Sequence, residues 1–567
     1  MRQEVMENEL SCHEIITSDN YVDLYYQIRG DIEEVAKEMG AECVRNIFED
    51  WVMFHIKVDP DDCDEFYLNS EYRLLTNLYG LSSISSIEAA GIGGVLKLPG
   101  LGITGNGVTV AVIDTGIDYL HEAFRYEDNT SKIISIWDQT ESGTPPEGFL
   151  FGTEYTNQQI NEALNSDEPL SIVPTTDEIG HGTFLAGIAA GRSNNKKNFQ
   201  GAAPEADLVV VKLKPAKKCV KQFFQVKEDV IAYQTSDIFR GLDYVINKSR
   251  GKPMVVFLAL SSSDGPHNGT SELEEYMAKL GDAIGDVIVT AAGNEADKSR
   301  HFHGVLKDNE DKVKIELNIA ERENGVFFNV YAPLPDRINI ELISPSGATT
   351  GKLPIKTNEW QIINFPVESS VIRVNYRIDL RAGGESIAIF IINPLPGIWN
   401  LVVYADLIAN GEFDIYLPTN NFIEKNTYFL KPDPYITITL PSTNTGTITI
   451  GAYNEVINSI FLESGRGYTR ANSIKPDIVA PGFNVVGPYP NNQYGTMSGT
   501  SVSTAITAGA CALLLEWGIV KENDPTINTI SAKNYLTRGA RRRDNIRYPN
   551  REWGYGELDL LNTFKEL

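Results

Sequence analysis

Nowhere in the 567 residues does an uninterrupted apolar run approach the roughly 18 residues that cross a bilayer. The opening MRQEVMENELSCHE holds no basic cluster followed by an apolar stretch, so neither a secretory signal nor a membrane span is expected. Synthesis in the cytosol and no membrane partner follow from that reading. Positive charge is also in short supply. Lys and Arg total 49 against 76 Asp and Glu, a net charge of −27. Nucleic-acid binding requires a cationic surface to displace phosphate counterions, so no nucleic-acid partner is expected. The acidity reads as a solvated surface. Cysteine is scarce and odd in number, at Cys12, Cys43, Cys63, Cys219 and Cys511. No two are spaced as metal ligands, which predicts reduced, buried thiols and neither a disulfide framework nor a zinc site.

What is present is length enough for two to four domains. Residues 20–80 read as a small α/β unit, with strands at Tyr21–Ile28 and Trp51–Val58 and helical spacing at Ile32–Met39 and around Cys63–Asn77. The small, polar stretch Leu81–Gly93 reads as a connector. From Gly107 apolar strands alternate with helices. Val108–Ile113, Leu208–Leu213, Met254–Leu260 and Asp286–Ala292 are the strands, Ser236–Asn247 and Ser271–Leu280 two of the helices. That alternation predicts a parallel sheet covered on both faces. It stops near His303. Short alternating runs such as Val313–Ile319, Gly325–Tyr331, Arg337–Ile343 and Ile387–Ile392 follow, read as an inserted all-β sandwich or jelly roll. The α/β pattern resumes near Thr447.

Four segments carry chemistry. The apolar strand Val112-Ile113-Asp114-Thr115-Gly116 delivers a carboxylate at its C-terminal end, where an Asp standing alone would read as a turn cap. In Gly180-His181-Gly182-Thr183, His181 begins a helix rich in small residues and has glycine on both sides. The other histidines read as structural or exposed, His121 being the closest rival. In Ser498-Gly499-Thr500-Ser501, Ser501 stands at the start of a buried helix; alone it would be an N-cap, but the same place puts an oxyanion in the helix field. Ala292-Gly293-Asn294 ends a buried strand with an amide that can donate to that oxyanion. A serine hydroxyl needs a base within reach, and the base needs an orienting carboxylate. Asp114, His181 and Ser501 together supply both, at the edge where open parallel sheets build their sites.

These motifs, in the order Asp, His, Asn, Ser, resemble the subtilase family of serine endopeptidases (peptidase family S8) over residues 90–305 and 440–567. Pro476-Asp477-Ile478-Val479-Ala480-Pro481-Gly482 and Gly554-Tyr555-Gly556-Glu557-Leu558 extend the resemblance. It implies an α/β, subtilisin-like three-layer domain, divided as residues 85–304 and 441–567, with a jelly-roll insertion at 305–440. It also implies that residues 1–84 are a prodomain, a folding assistant and inhibitor that occupies the cleft. Self-cleavage would fall at Leu81-Ser82-Ser83-Ile84-Ser85-Ser86. By resemblance Asn294 and the backbone of Ser501 form the oxyanion hole. Ile231, Ala232 and Tyr233 form one cleft wall, and Ala259, Leu260 and Ser261 with Gly293 the other side, so that an extended substrate adds as a β-strand. Two departures stand out: Ala259-Leu260-Ser261 where the family has Ser-Leu-Gly, and Val502-Ser503-Thr504-Ala505 after the nucleophile instead of Met-Ala-x-Pro.

A retained prodomain, an inserted jelly roll and no signal peptide resemble one branch, the Csp germination proteases of clostridial spores. That resemblance implies incorporation in the spore and, as partner, a cortex-lytic prohydrolase activated by limited proteolysis. The alternative it carries is a catalytically silent pseudoprotease acting in signalling or binding. No cofactor is required by this chemistry. Calcium sites are frequent in the family, but the Asn194–Asn198 loop reads as a solvated turn and no metal ligand set is matched.

Overall fold

The computed structural model describes residues 12–27, 31–48, 51–59, 66–68, 78–81, 89–98, 100–194, 196–197, 199–249, 251–419 and 421–567. Its centre is a nine-stranded sheet. The strands Ile133–Asp138, Asp207–Lys212, Thr109–Asp114, Met254–Leu258, Asp286–Ala291, Ile448–Asn454 and Ile478–Pro481 run parallel in that spatial order. Two short strands add antiparallel, Thr153–Thr156 to Ile133–Asp138 and Ser459–Ile460 to the end of Ile448–Asn454. Alternate residues of one strand feed opposite cores. Val110 and Val112 pack with the helices His181–Ala190 and Thr500–Leu515, whereas Ala111 and Ile113 pack with the helices Thr235–Ser249 and Glu272–Gly281. A strand buried on both faces is apolar throughout, which is why these segments read as continuous runs. The helix and π-helix spanning Thr500–Val520 are apolar and long enough to cross a membrane, yet 89% of their most apolar 18 residues are buried inside the protein.

The strands from His301–Val305 to Tyr428–Phe429 form two antiparallel sheets, one of six strands and one of four. Their inner faces share one core, in which Val326, Phe328 and Ile389 of the first meet Ile315, Ile340 and Trp399 of the second. This is the all-β insertion, built as a sandwich.

The N-terminal unit is a three-stranded antiparallel sheet, Tyr21–Gln27, Trp51–Lys57 and Ala41–Phe48, with helices Cys12–Thr17 and Ile32–Glu38. The strand Ala41–Phe48 escapes the sequence pattern because a charge stands in its buried row of Cys43, Arg45 and Ile47. Only residues 66–68 of the helix expected over Cys63–Asn77 fall among those described. One apolar cluster joins all three parts: Val22, Phe54 and Tyr67 of the unit, Val220 and Phe223 of the α/β part, and Phe327 and Phe390 of the sandwich.

The cysteine expectation is corrected. Cys12 and Cys43 form a disulfide with their Cα atoms 5.5 Å apart, and Cys219 is also disulfide-bonded. Spacing along the chain does not tell which Cα atoms the fold brings within bonding range. Cys511 alone among the described cysteines is a free thiol, buried, with its pKa pushed up by that burial.

Candidate active site

Strand Thr109–Asp114 carries Asp114 to the C-terminal edge of the sheet, and His181 is the first residue of its helix. His181 Nδ1 lies 2.7 Å from Asp114 Oδ1, which also accepts the Thr115 backbone N–H at 2.8 Å. Both side chains are buried. The helix start is held by a residue that the sequence reading missed, Asp177. Its Oδ1 accepts from Gly180 N and Thr115 Oγ1, each at 2.8 Å, and its Oδ2 from Thr183 N at 2.9 Å and Thr183 Oγ1 at 2.6 Å. Thr115 Oγ1 in turn accepts from Gly182 N at 2.9 Å. A Cβ on Gly182 would stand 2.2 Å from the Gly116 carbonyl, so glycine after His181 is what permits this approach. A buried carboxylate and a threonine thus lock the helix bearing His181 onto the turn bearing Asp114. The signal was present as an Asp three residues before Gly180 with a Thr three residues after it, a capping pattern spread over a longer reach than the usual box.

Ser501 is the second residue of helix Thr500–Leu515, whose cap is Gly499, so its hydroxyl is not the N-cap. Instead Ser501 Oγ donates to the Ala259 carbonyl at 3.3 Å. Asn294 Oδ1 accepts from Thr500 N at 3.0 Å and Thr500 Oγ1 at 3.2 Å, and Thr500 Oγ1 accepts from Gly293 N at 3.1 Å. These contacts fix the amide, leaving its NH₂ end as the donor end opposite the helix. Ser503, at one of the positions departing from the family pattern, ties the same helix to Ala480 O at 3.1 Å and Pro481 O at 3.0 Å.

The two expected walls are short strands, Tyr233–Gln234 and Leu260–Ser261, and a third strand, Leu78–Leu81, lies between them. Leu78 faces Gln234 and Tyr79 faces Tyr233; Gly80 faces Ser261 and Leu81 faces Leu260, all antiparallel. Ile231 and Ala232 fall short of this pairing: Ile231 is exposed, and Ala232 accepts Ala216 N at 2.8 Å. Burial, with the Asp114 and Asp177 carboxylates nearby, holds the Tyr233 phenol neutral well above its ordinary pKa. Of the expected cleavage region, Ser82, Ser83, Ile84, Ser85 and Ser86 lie outside the described residues. The rival His121 is structural: its Nδ1 accepts Ala123 N at 3.1 Å and its Nε2 lies 2.9 Å from Gln493 O. Among the described residues no three His, Cys, Asp or Glu side chains gather as a metal site.

The subtilase family profile matches residues 105–320 and 431–556, and the interval between falls on the sandwich strands. The chain belongs to the subtilase family. This subtilase resembles the solved structure of the Clostridium perfringens CspB protease, with a TM-score of 0.74 and 34% identity, covering 85% of this chain and 99% of that one. The subtilase is also 26% identical over 445 residues to the C5a peptidase of Streptococcus pyogenes, covering 72% of this chain and 35% of the relative. To the PII-type proteinase of Lacticaseibacillus paracasei it is 24% identical over 487 residues, 74% and 23% of the two chains. It therefore spans about a third or less of the length of these curated relatives.

Proposed function

We propose that this chain is a serine endopeptidase in which Ser501 attacks the scissile carbonyl and His181 takes the hydroxyl proton. Asp114 orients the imidazole and stabilises its charged form, and the Ser501 N–H with the Asn294 amide holds the oxyanion. His181 then gives its proton to the leaving amine, and water releases the acyl group from Ser501. The observation that carries this reading is the 2.7 Å His181–Asp114 contact at the sheet edge, beside walls that already hold an extended strand. In the same reading residues 1–84 are the prodomain, cut by the enzyme itself and kept in the cleft, and calcium is not needed. The likeness to the CspB protease, at 34% identity, supports a germination role. The partner would be a cortex-lytic prohydrolase activated by limited cleavage, with the enzyme carried in the spore.

Intact mass of the wild type beside Ser501→Ala tests the reading. Two fragments from the wild type and one whole chain from the variant are expected. A strand seated between both walls also fits a silent pseudoprotease with an occupied cleft. Whole chains from both proteins, together with no labelling of Ser501 by a fluorophosphonate, would establish that second reading instead.

A further inference from the structure

After the last sandwich strand, Tyr428–Phe429, the chain returns to the central sheet at Ile448–Asn454. On the way, residues 436–442 run between the two segments that flank the nucleophile. One segment is residues 259–262, whose Ala259 carbonyl accepts from Ser501 Oγ at 3.3 Å. The other is residues 291–294, whose Gly293 N donates to Thr500 Oγ1 at 3.1 Å. Leu440 pairs with Ser262, donating to its carbonyl at 2.9 Å and accepting from its N–H at 3.0 Å. The neighbouring Thr439 N donates to the Ala292 carbonyl at 3.0 Å, and Ser442 Oγ to the Ala291 carbonyl at 2.6 Å. One short stretch of backbone therefore bonds both sides of the cleft.

That stretch is fixed at every residue from 436 to 440. Ile436 O accepts from the Tyr416 hydroxyl of the sandwich at 3.1 Å. Thr437 N donates to Arg466 O at 2.8 Å, and Ile438 O lies 2.7 Å from His267 Nδ1. Thr439 is 1% exposed, and its hydroxyl also reaches the Ala292 carbonyl at 3.4 Å. Its side chain lies hard against Gly293, where a Cβ would stand 2.3 Å from Thr439 Oγ1 and 2.6 Å from Thr439 Cγ2. A β-branched side chain is stiff about χ1, and this one is bonded and packed as well, so it does not swing aside.

A residue whose carbonyl meets Ser501 Oγ, with its oxygen toward the Asn294 amide, has its Cα between these two segments. Its side chain then enters the gap that Thr439 closes. We propose that Thr439 is the floor of the pocket for the residue before the cleaved bond and restricts that residue to glycine, alanine or serine. Leucine or phenylalanine there meets Thr439 Oγ1 and Cγ2, and the bonded backbone below does not retreat. The selection rests on the endopeptidase reading above and narrows its substrates to chains cut after small residues. Thr439 follows the whole sandwich in sequence, so the insertion delivers the residue that limits the cleft.

The full-length chain is offered fluorogenic peptides that differ only in the residue before the cleaved bond. Wild-type kcat/KM is expected to be about 10-fold or more higher for Ala and Ser than for Leu and Phe, the scale on which a pocket discriminates side-chain size. Thr439→Gly should raise Leu and Phe relative to Ala about 10-fold or more. Thr439→Ser keeps the hydroxyl and removes only the methyl group, so it should move the ratio the same way by less. A wild type that prefers Leu or Phe, or a ratio unmoved in both variants, overturns the selection while leaving a working protease. If no peptide is cut, aminoalkylphosphonate diphenyl esters carrying an Ala or a Phe side chain are compared by intact mass. Faster labelling of Ser501 by the Ala reagent supports the selection, and equal or reversed rates overturn it alone. Labelling by neither, nor by a fluorophosphonate, overturns the endopeptidase reading itself.

Discussion

Asp23 Oδ1 lies 2.7 Å from the Lys217 ammonium, joining the N-terminal unit to the α/β part through an ion pair with both partners almost wholly buried. The same carboxylate meets His55 Nδ1 at 2.6 Å and accepts the Gln234 amide at 3.2 Å. Gln234 belongs to the short strand Tyr233–Gln234 that faces Leu78, so docking of the unit and seating of the strand share a residue.

Removing one partner of such a pair leaves a charge buried without compensation. Asp23→Ala should cost about 3–5 kcal/mol in denaturant unfolding. The double change Asp23→Leu with Lys217→Met should recover much of it, because an apolar pair of similar volume has no desolvation cost. A single variant as stable as the wild type would show that the pair does not hold the unit.

The contacts of His55 give a pH dependence with a definite sign. Burial lowers its pKa to about 4, with Arg45 and Lys217 adding to the effect and Asp23 opposing it. Arg45 Nε donates to His55 Nε2 at 3.2 Å, so the neutral ring satisfies both nitrogens, and a second proton would face a guanidinium. The folded protein therefore binds this proton less readily than the unfolded chain. The stabilisation is complete above the ordinary imidazole value near 6.5 and is lost as pH falls from there toward 4. Thermal unfolding between pH 7 and 4 should show a decline that is shallower in His55→Gln.

Activity should respond to acid through a different histidine. With His181 as general base, kcat/KM should fall as pH drops through the imidazole range near 6.5. A pH profile flat from 8 to 5 would remove His181 from that role.

Asp177 holds the start of the His181 helix through four hydrogen bonds. Asp177→Ala should lower kcat about 100-fold with little change in KM, since a small misplacement of the base is costly while the walls are untouched. Equal losses in kcat and KM, or a protein that fails to bind substrate, would argue for a general folding role.

Asn294→Ala should reduce kcat by about 10²–10³, the loss measured in subtilisin when its oxyanion asparagine is removed. Thr500 would also lose its acceptor, so Asn294→Asp separates the roles: it keeps the Oδ1 acceptor and removes the NH₂ donor. An Asn294→Asp enzyme with wild-type kcat would exclude oxyanion donation.

The strands of the central sheet were legible because burial on both faces makes them uniformly apolar, and Met254–Leu258 and Asp286–Ala291 lie within the runs read from sequence. The strand Ala41–Phe48 was not, because Arg45 owes its buried place to His55, 10 positions away, which in turn meets Asp23, 32 positions from His55. Asp177 was overlooked for a related reason: its partners include Thr115, 62 residues earlier.

By itself the sequence determined the class of chemistry and the sheet that carries it. Asp114, His181, Asn294 and Ser501 each stand in a local setting, a strand end or helix start with glycine within two residues, that short-range pattern dictates. Tertiary structure decided what depends on distance in space. It paired Cys12 with Cys43, set Asp23 on Lys217, and laid Leu78–Leu81 between the walls with Gly80 against Ser261. Each of these joins segments far apart in the chain, and only the packed fold brings them within a few ångströms.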